Sequence, residues 1–293
     1  MQNESNLIVS VVMITYAHEK YIQEAIEGVF LQQFNGTIEL IIANDHSPDA
    51  TDEIVKRVIK IAPQHIKVNY TYHENNLGST PNFILALQQA KGKYIAICDG
   101  DDYWIDQLKL QKQVDYLEKN KEFVLVSHKR NVIENNKIII EKEEGFFSQC
   151  ILFKNIIDKN FLDFDSSKII NLDTFLMLFL ENFGKFHMMD FTGSVYRLGN
   201  QGVWSKIDIE RKFYLSQKSL KEMQIFFKLN NLNRSILIIK DYELDNYLRF
   251  SKRLKENKHY YKSFNYLLIF IAYTFYYNKF SINRFKSIIH FFV

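Results

Sequence analysis

The sequence predicts an α/β protein: a mainly parallel sheet flanked by helices, followed by a helical C-terminal appendage. Three observations carry this. Short runs rich in Ile and Val alternate with stretches of helical periodicity long enough to serve as crossovers. Those runs end in polar or acidic residues, the edge at which open parallel sheets bind ligands. Beyond residue 205 the alternation stops and the remaining pattern is helical.

Leu7 to Thr15 is the first strand expected, and a helix over Glu19–Gln33 follows, with Ile22, Ala25, Ile26 and Val29 at helical spacing. A second strand, Ile38 to Ala43, ends at Asn44-Asp45; Asp49 to Asp52 then cap and charge the next helix. Ile66 to Tyr72 is a third strand, closed by His73-Glu74-Asn75-Asn76. Thr80 reads as a cap with Pro81 at the first helical position, and that helix runs to Lys91 before Gly92. Tyr94 to Cys98 is a fourth, buried strand that stops in Asp99-Gly100-Asp101-Asp102. A helix over 106–120 and a strand over 123–127 complete the alternation.

Four segments therefore deliver Thr15-Tyr16, Asn44-Asp45, Glu74 to Asn76 and Asp99 to Asp102 to one sheet edge. The acidic cluster reads either as a solvated turn or as a site for a hard cation with oxygen ligands. With an aromatic ring for a base and a carboxylate for its N–H, the edge reads as a nucleotide pocket. No Gly-x-Gly-x-x-Gly follows the first strand and no Gly-x-x-x-x-Gly-Lys-Ser/Thr occurs, which argues against dinucleotide-binding and P-loop units. A metal then becomes the natural partner of a diphosphate.

The runs Val9–Tyr16, Ile41–Ser47, Asn75–Gly78 and Asp99–Trp104 resemble the inverting family 2 glycosyltransferases of GT-A fold, as do Asp173, Tyr196-Arg197 and Gly202–Ser205 further on. The resemblance covers about residues 7 to 205. It implies a GT-A domain over 1–205 that moves a sugar from a nucleotide donor, a UDP-sugar first, to a glycan or lipid-linked acceptor in bacterial surface-polysaccharide assembly. It places Tyr16 on the donor base and Asp45 in a hydrogen bond to it. Thr15 and Asn76 join the nucleotide site. Asp99 and Asp101 form the Asp-x-Asp signature, and Asp101 and Asp102 are the ligands of a Mn2+ or Mg2+ ion. Asp173 is the catalytic base, its alternative being a helix cap; Asp163, Asp165 and Asp190 stand next in line. Where the family pattern has a histidine this chain has Gly199, for which His128 and His187 are candidate substitutes.

Composition sets further bounds. The chain has 293 residues, 47% hydrophobic, and only two cysteines, so no disulfide framework is expected and Cys98 reads as a core residue. The polar start, Met1 to Asn6, has no secretory pattern, which implies a cytoplasmic protein. The net charge of +3 divides unevenly: from Ser251 on, eight basic residues face one acidic residue, Glu256. Within that tail, Phe264 to Tyr277 is an apolar, aromatic run too short for a spanning helix. It reads either as a buried helix or as an interfacial one on the anionic inner face of the cytoplasmic membrane. No nucleic-acid partner is expected. Two alternatives to the enzyme remain, a catalytically decayed sugar-nucleotide binder and a membrane-associated scaffold; the helical region, 206–293, would carry the latter.

Overall fold

The computed structural model describes residues 7–198 and 207–276. These divide into two compact units. The first runs to Ser167 and resumes at Phe183; the second contains 168–182 and everything from 207 on. The boundary expected at 205/206 thus differs in one segment, since the residues around Asp173 cluster with the C-terminal helices.

The first unit is a sheet with helices against it. In chain order it holds β1 (Leu7–Thr15), α1 (Ile22–Phe30), β2 (Thr37–Asn44), α2 (Thr51–Val58), β3 (Ile66–Tyr72), α3 (Ser79–Leu87), β4 (Tyr94–Ile97), β5 (Tyr103–Trp104) and α4 (Lys109–Lys119). Then come β6 (Phe123–Glu134), β7 (Lys137–Glu143), β8 (Leu152–Lys154), α5 (Lys159–Asp163) and, after α6 (Leu172–Leu180) of the second unit, β9 (Lys185–Arg197). The strand order is β3-β2-β1-β4-β8-β6-β9-β5, with β7 on β6.

β1, β2, β3 and β4 are mutually parallel, as expected. Every residue of β2 is buried, because helices cover both faces of a parallel sheet and its strands then read as continuous apolar runs. The chain moves outward from β1 through β2 to β3 and returns to the other side of β1 with β4. That reversal puts a crevice at the carboxyl ends of β1 and β4. Beneath it lies a core that includes Val11, Met13, Ile26, Leu40, Ala96 and Cys98, so Cys98 is the small core residue expected.

Local differences have local causes. α3 begins at Ser79 because Gly78, at φ +90°, turns the chain into it, so Thr80 and Pro81 fall inside the first turn rather than at its start. β6 runs well past Ser127: its polar continuation hid a strand that is held by pairing with β9 and β7. Asn135 and Asn136, both at positive φ, make the tight β6–β7 turn. β9 was not expected at all.

The second unit contains α6, α7 (Ile209–Leu229), α8 (Asn233–Glu256) and α9 (Tyr260–Tyr276). Phe175 and Phe179 of α6 pack on Phe226, with centroids 5.0 and 6.3 Å apart. α8 and α9 approach closely through Ser251 and Ser263, each hydroxyl donating to the other's carbonyl at 2.7 and 2.8 Å. Leu244, Leu248, Leu267 and Phe270 fill the seam beside them. α9 is therefore buried on one face only. Tyr261, Phe264 and Leu268 on its other face are exposed. No described helix is long and apolar enough to cross a membrane.

Candidate active site

Backbone hydrogen bonds join the strand ends into one floor. Asp45 N–H donates to Thr15 O, Gly100 N–H to Ile14 O and His73 N–H to Asn44 O, each at 3.0 Å. The loop after β1 is stitched to the loop after β2: Ala17 N–H donates to Ser47 Oγ at 3.0 Å, and His18 N–H to Thr51 Oγ1 at 2.9 Å.

Asp45 is buried, and its carboxylate organises the third loop. Oδ1 accepts the Leu77 N–H at 2.7 Å and Oδ2 the Gly78 N–H at 2.9 Å, while Asn76 Nδ2 donates to the Asp45 carbonyl at 3.0 Å. Asp45 and Asn76 are thus paired, as the shared edge requires. Tyr16, next to Thr15 at the end of β1, is 40% exposed.

The three carboxylates of the fourth strand end have three different environments. Asp99 Oδ2 accepts the Ser148 hydroxyl at 2.9 Å. Asp101 is half-exposed at the mouth, with His18 Nε2 3.7 Å from its Oδ2. His18 Nδ1 lies in turn 3.2 Å from the buried Thr15 Oγ1. Gly100 permits this close approach, since a Cβ there would come within 2.8 Å of Thr15 Oγ1 and 3.0 Å of His18 Nδ1.

Asp102 points the other way. It is 2% exposed and its Oδ1 accepts the Arg197 N–H at 2.9 Å. Burial, together with the charges of Asp101 and Asp99, pushes its carboxyl well above the ordinary range. Arg197 closes the turn from behind. Its Nη1 donates to the Asp101 carbonyl at 2.7 Å, its guanidinium pairs with Glu24, and it lies 4.3 Å from the Tyr103 ring centre. Arg197 therefore acts as a brace for the acidic turn.

Deeper still, Lys109 is fully buried, 3.9 Å from the centre of the Trp104 ring and donating to Gln113 Oε1 at 2.9 Å. Burial pushes its amine down to about 7. Sequence patterns gave no hint of His18, Ser148, Glu24 or Lys109. His18, Ser148 and Glu24 take their places from contacts distant along the chain, with Thr51 and Asp101, Asp99 and Arg197, while Lys109 is held by burial beside Trp104 and Gln113.

A divalent cation can be tested against this donor set. Among the described residues no three His, Cys, Asp or Glu side chains cluster into a complete cage. Mg2+ and Mn2+ need none, because such ions bind through one or two carboxylates and take substrate phosphates and water as the other ligands. Asp101 has that disposition, and Asp99 neighbours it.

Asp173 belongs to the second unit, in the first turn of α6. It is exposed, and its Oδ1 accepts the Thr174 N–H at 2.7 Å. Asn171 occupies the cap position without a side-chain capping bond, and Asp173 stands two residues further on. Of the reserve carboxylates, Asp190 pairs with Lys129 at 2.6 Å, Asp163 lies 3.8 Å from Lys159, and Asp165 accepts from Ser167. The two histidines have structural surroundings. His187 stacks on Tyr116 at 4.2 Å, and His128 is fully buried beside Phe191. Gly199 and Gly202–Ser205 lie outside the described residues.

Comparison with known proteins agrees with this geometry. The profile of Glycosyl transferase family 2 matches residues 10–183. An uncharacterised Mycobacterium tuberculosis protein is 32% identical over 220 residues, covering 70% of this chain and 63% of that protein. The chain thus spans under two thirds of that relative's length. The UDP-Glc:α-D-GlcNAc-diphosphoundecaprenol β-1,3-glucosyltransferase WfaP of Escherichia coli is 32% identical over 132 residues, 45% of this chain and 49% of that protein. Among solved structures, the mannosyltransferase PcManGT of Pyrobaculum calidifontis, in complex with GDP-Man and Mn2+, shares the fold at a TM-score of 0.53 and 15% identity, over 92% of this chain and 76% of that one. On the strand order, the converging acidic edge and the matched profile together, the chain belongs to Glycosyl transferase family 2 and has the GT-A fold.

Proposed function

We propose that this chain transfers a sugar from a nucleotide donor, a UDP-sugar first, to a glycan or lipid-linked acceptor with inversion at the anomeric carbon, in bacterial surface-polysaccharide assembly. The observation that carries this reading is the joining of four strand ends into one edge, on which Asp101 is half-exposed. The similarity to WfaP, whose name specifies a UDP-glucose donor and a lipid-diphosphate-linked acceptor, supports the donor and the acceptor class.

Each residue then has a task. Tyr16, a partly exposed aromatic residue, stacks on the base. Asp45 accepts the base N–H; each of its oxygens carries one backbone bond and retains a lone pair for a second. Asn76 holds that loop in register, and Thr15 forms the floor under the ribose and phosphates. Asp99 faces the ribose. Asp101 holds Mn2+ or Mg2+, which when bound offsets charge on the departing diphosphate. We leave Asp102 out of the proposed ligand set because it is 2% exposed, with its Oδ1 on the Arg197 N–H. Asp173 accepts the acceptor hydroxyl's proton as that oxygen attacks.

The acceptor reading extends to the membrane. The exposed face of α9 carries Tyr261, Phe264 and Leu268, and Lys252, Lys255, Lys258 and Lys262 lie just before it or in its first turn. Such a helix lies in a lipid interface with aromatic residues inserted and lysines at headgroup level.

The test of the catalytic assignment is Asp173→Asn. The variant should fold and bind UDP-sugar like the wild type, while transfer falls about 10²-fold or more, the usual scale for loss of a general base. Undiminished transfer would move the base elsewhere.

A further inference from the structure

The helical unit contains a cavity of about 430 Å³ whose lining includes Asp173. Its charged walls are otherwise cationic. Arg249 and Arg253, one turn apart on α8, face Lys212 in the first turn of α7. Asn171 and Asn246 add amides. The Asn246 Nδ2 is buried and finds no hydrogen-bond partner among the described residues. Phe213 and Phe250, stacked at 4.3 Å and 13°, form an apolar side to the same space.

The lining thus sets three cationic side chains against one carboxylate. Guanidinium groups offer paired N–H donors that match phosphate oxygens, and two of them spaced i, i+4 on one helix face can hold one anion between them. We infer that the cavity binds a phosphate group of the acceptor itself, and so that the acceptor is a phosphate-bearing glycan or glycolipid. Bound there, the phosphate fixes the acceptor beside Asp173, the carboxylate that takes its proton. This rests on the glycosyl-transfer reading above and narrows it to anionic acceptors.

The experiment measures binding of three probes by calorimetry without added metal. They are an alkyl diphosphate-linked N-acetylglucosamine, a glycerol phosphate oligomer, and the alkyl glycoside of the same sugar without phosphate. A parallel titration follows UDP with Mn2+. One or both phosphate probes should bind more tightly than the neutral glycoside, with UDP present or absent. Arg249→Gln/Arg253→Gln should weaken that binding about tenfold or more, on the scale of lost charge-assisted hydrogen bonds. The same two positions changed to Lys should keep part of it. Lys221→Gln/Lys228→Gln, an equal loss of charge farther along α7 and outside the cavity lining, should leave it unchanged. Which phosphate probe binds tells a lipid diphosphate from a phosphodiester chain. Equal affinity for all three probes, or phosphate binding indifferent to the double substitution, would overturn the inference, as would displacement of the phosphate probe by UDP. Arginine-dependent phosphate binding in a chain that binds no nucleotide would support the phosphate site and sink the glycosyl-transfer reading alone.

Discussion

At the residue scale, Asp99, Asp101 and Asp102 are indistinguishable in sequence, and the fold gives them different work. What separates Asp102 is the Arg197 N–H, a partner 95 positions away. No spacing rule reveals such a bond. Asp102→Asn keeps an Oδ1 for that N–H and removes an ionisable group whose charged form burial disfavours. Its melting temperature at pH 7 should be equal or higher, by up to about 1 kcal/mol in stability, and Mn-dependent UDP binding should persist. A loss of metal response in this variant would return Asp102 to the ligand set. Lys109 supplies a pH signature. Its amine is held at about 7 in the fold and titrates near 10.5 in the unfolded chain, so the unfolded chain binds the extra proton between those values. Stability from this group should therefore rise as pH climbs from about 7 to 10.5. Urea denaturation of Lys109→Met across that window should lack the rise; identical pH profiles would contradict the assignment.

At the element scale, legibility followed burial. β1 to β4 were readable because strands buried on both faces are continuous apolar runs, and their ends fell within a residue of expectation. β9 was not, since its residues are mostly half-buried, with Lys185 and Asp190 exposed. Helix starts shifted wherever a loop bond set them, as Asp45 does through Gly78 for α3. The C-terminal apolar run admitted two readings: one face of α9 packs on α8, and Tyr261, Phe264 and Leu268 on the other are exposed. The exposed face allows a test. Tyr261→Ser/Phe264→Ser/Leu268→Ser should leave the melting temperature nearly unchanged, because these side chains are exposed. It should also release the protein from vesicles containing anionic lipid, measured by co-sedimentation at low salt. A large fall in melting temperature with unchanged vesicle binding would make α9 a packing element only.

At the scale of the whole molecule, the sheet architecture and its acidic carboxyl edge were legible from where apolar runs stop. The separate clustering of 168–182 was not. It arises from aromatic packing of α6 on α7, which joins segments about 50 residues apart, and the family profile runs across it. The account then depends on one claim, that the carboxyl edge of the first unit holds a nucleotide diphosphate through a cation on Asp101. Titration calorimetry of UDP into wild type and Asp101→Ala, each with Mn2+ and with a chelator, tests it directly. Wild type should bind UDP far more tightly with Mn2+ than with chelator, and Asp101→Ala should bind weakly and equally in both, with its melting temperature unchanged. Equal affinity of wild type in Mn2+ and chelator, or an undiminished Mn2+ response in Asp101→Ala, would contradict it.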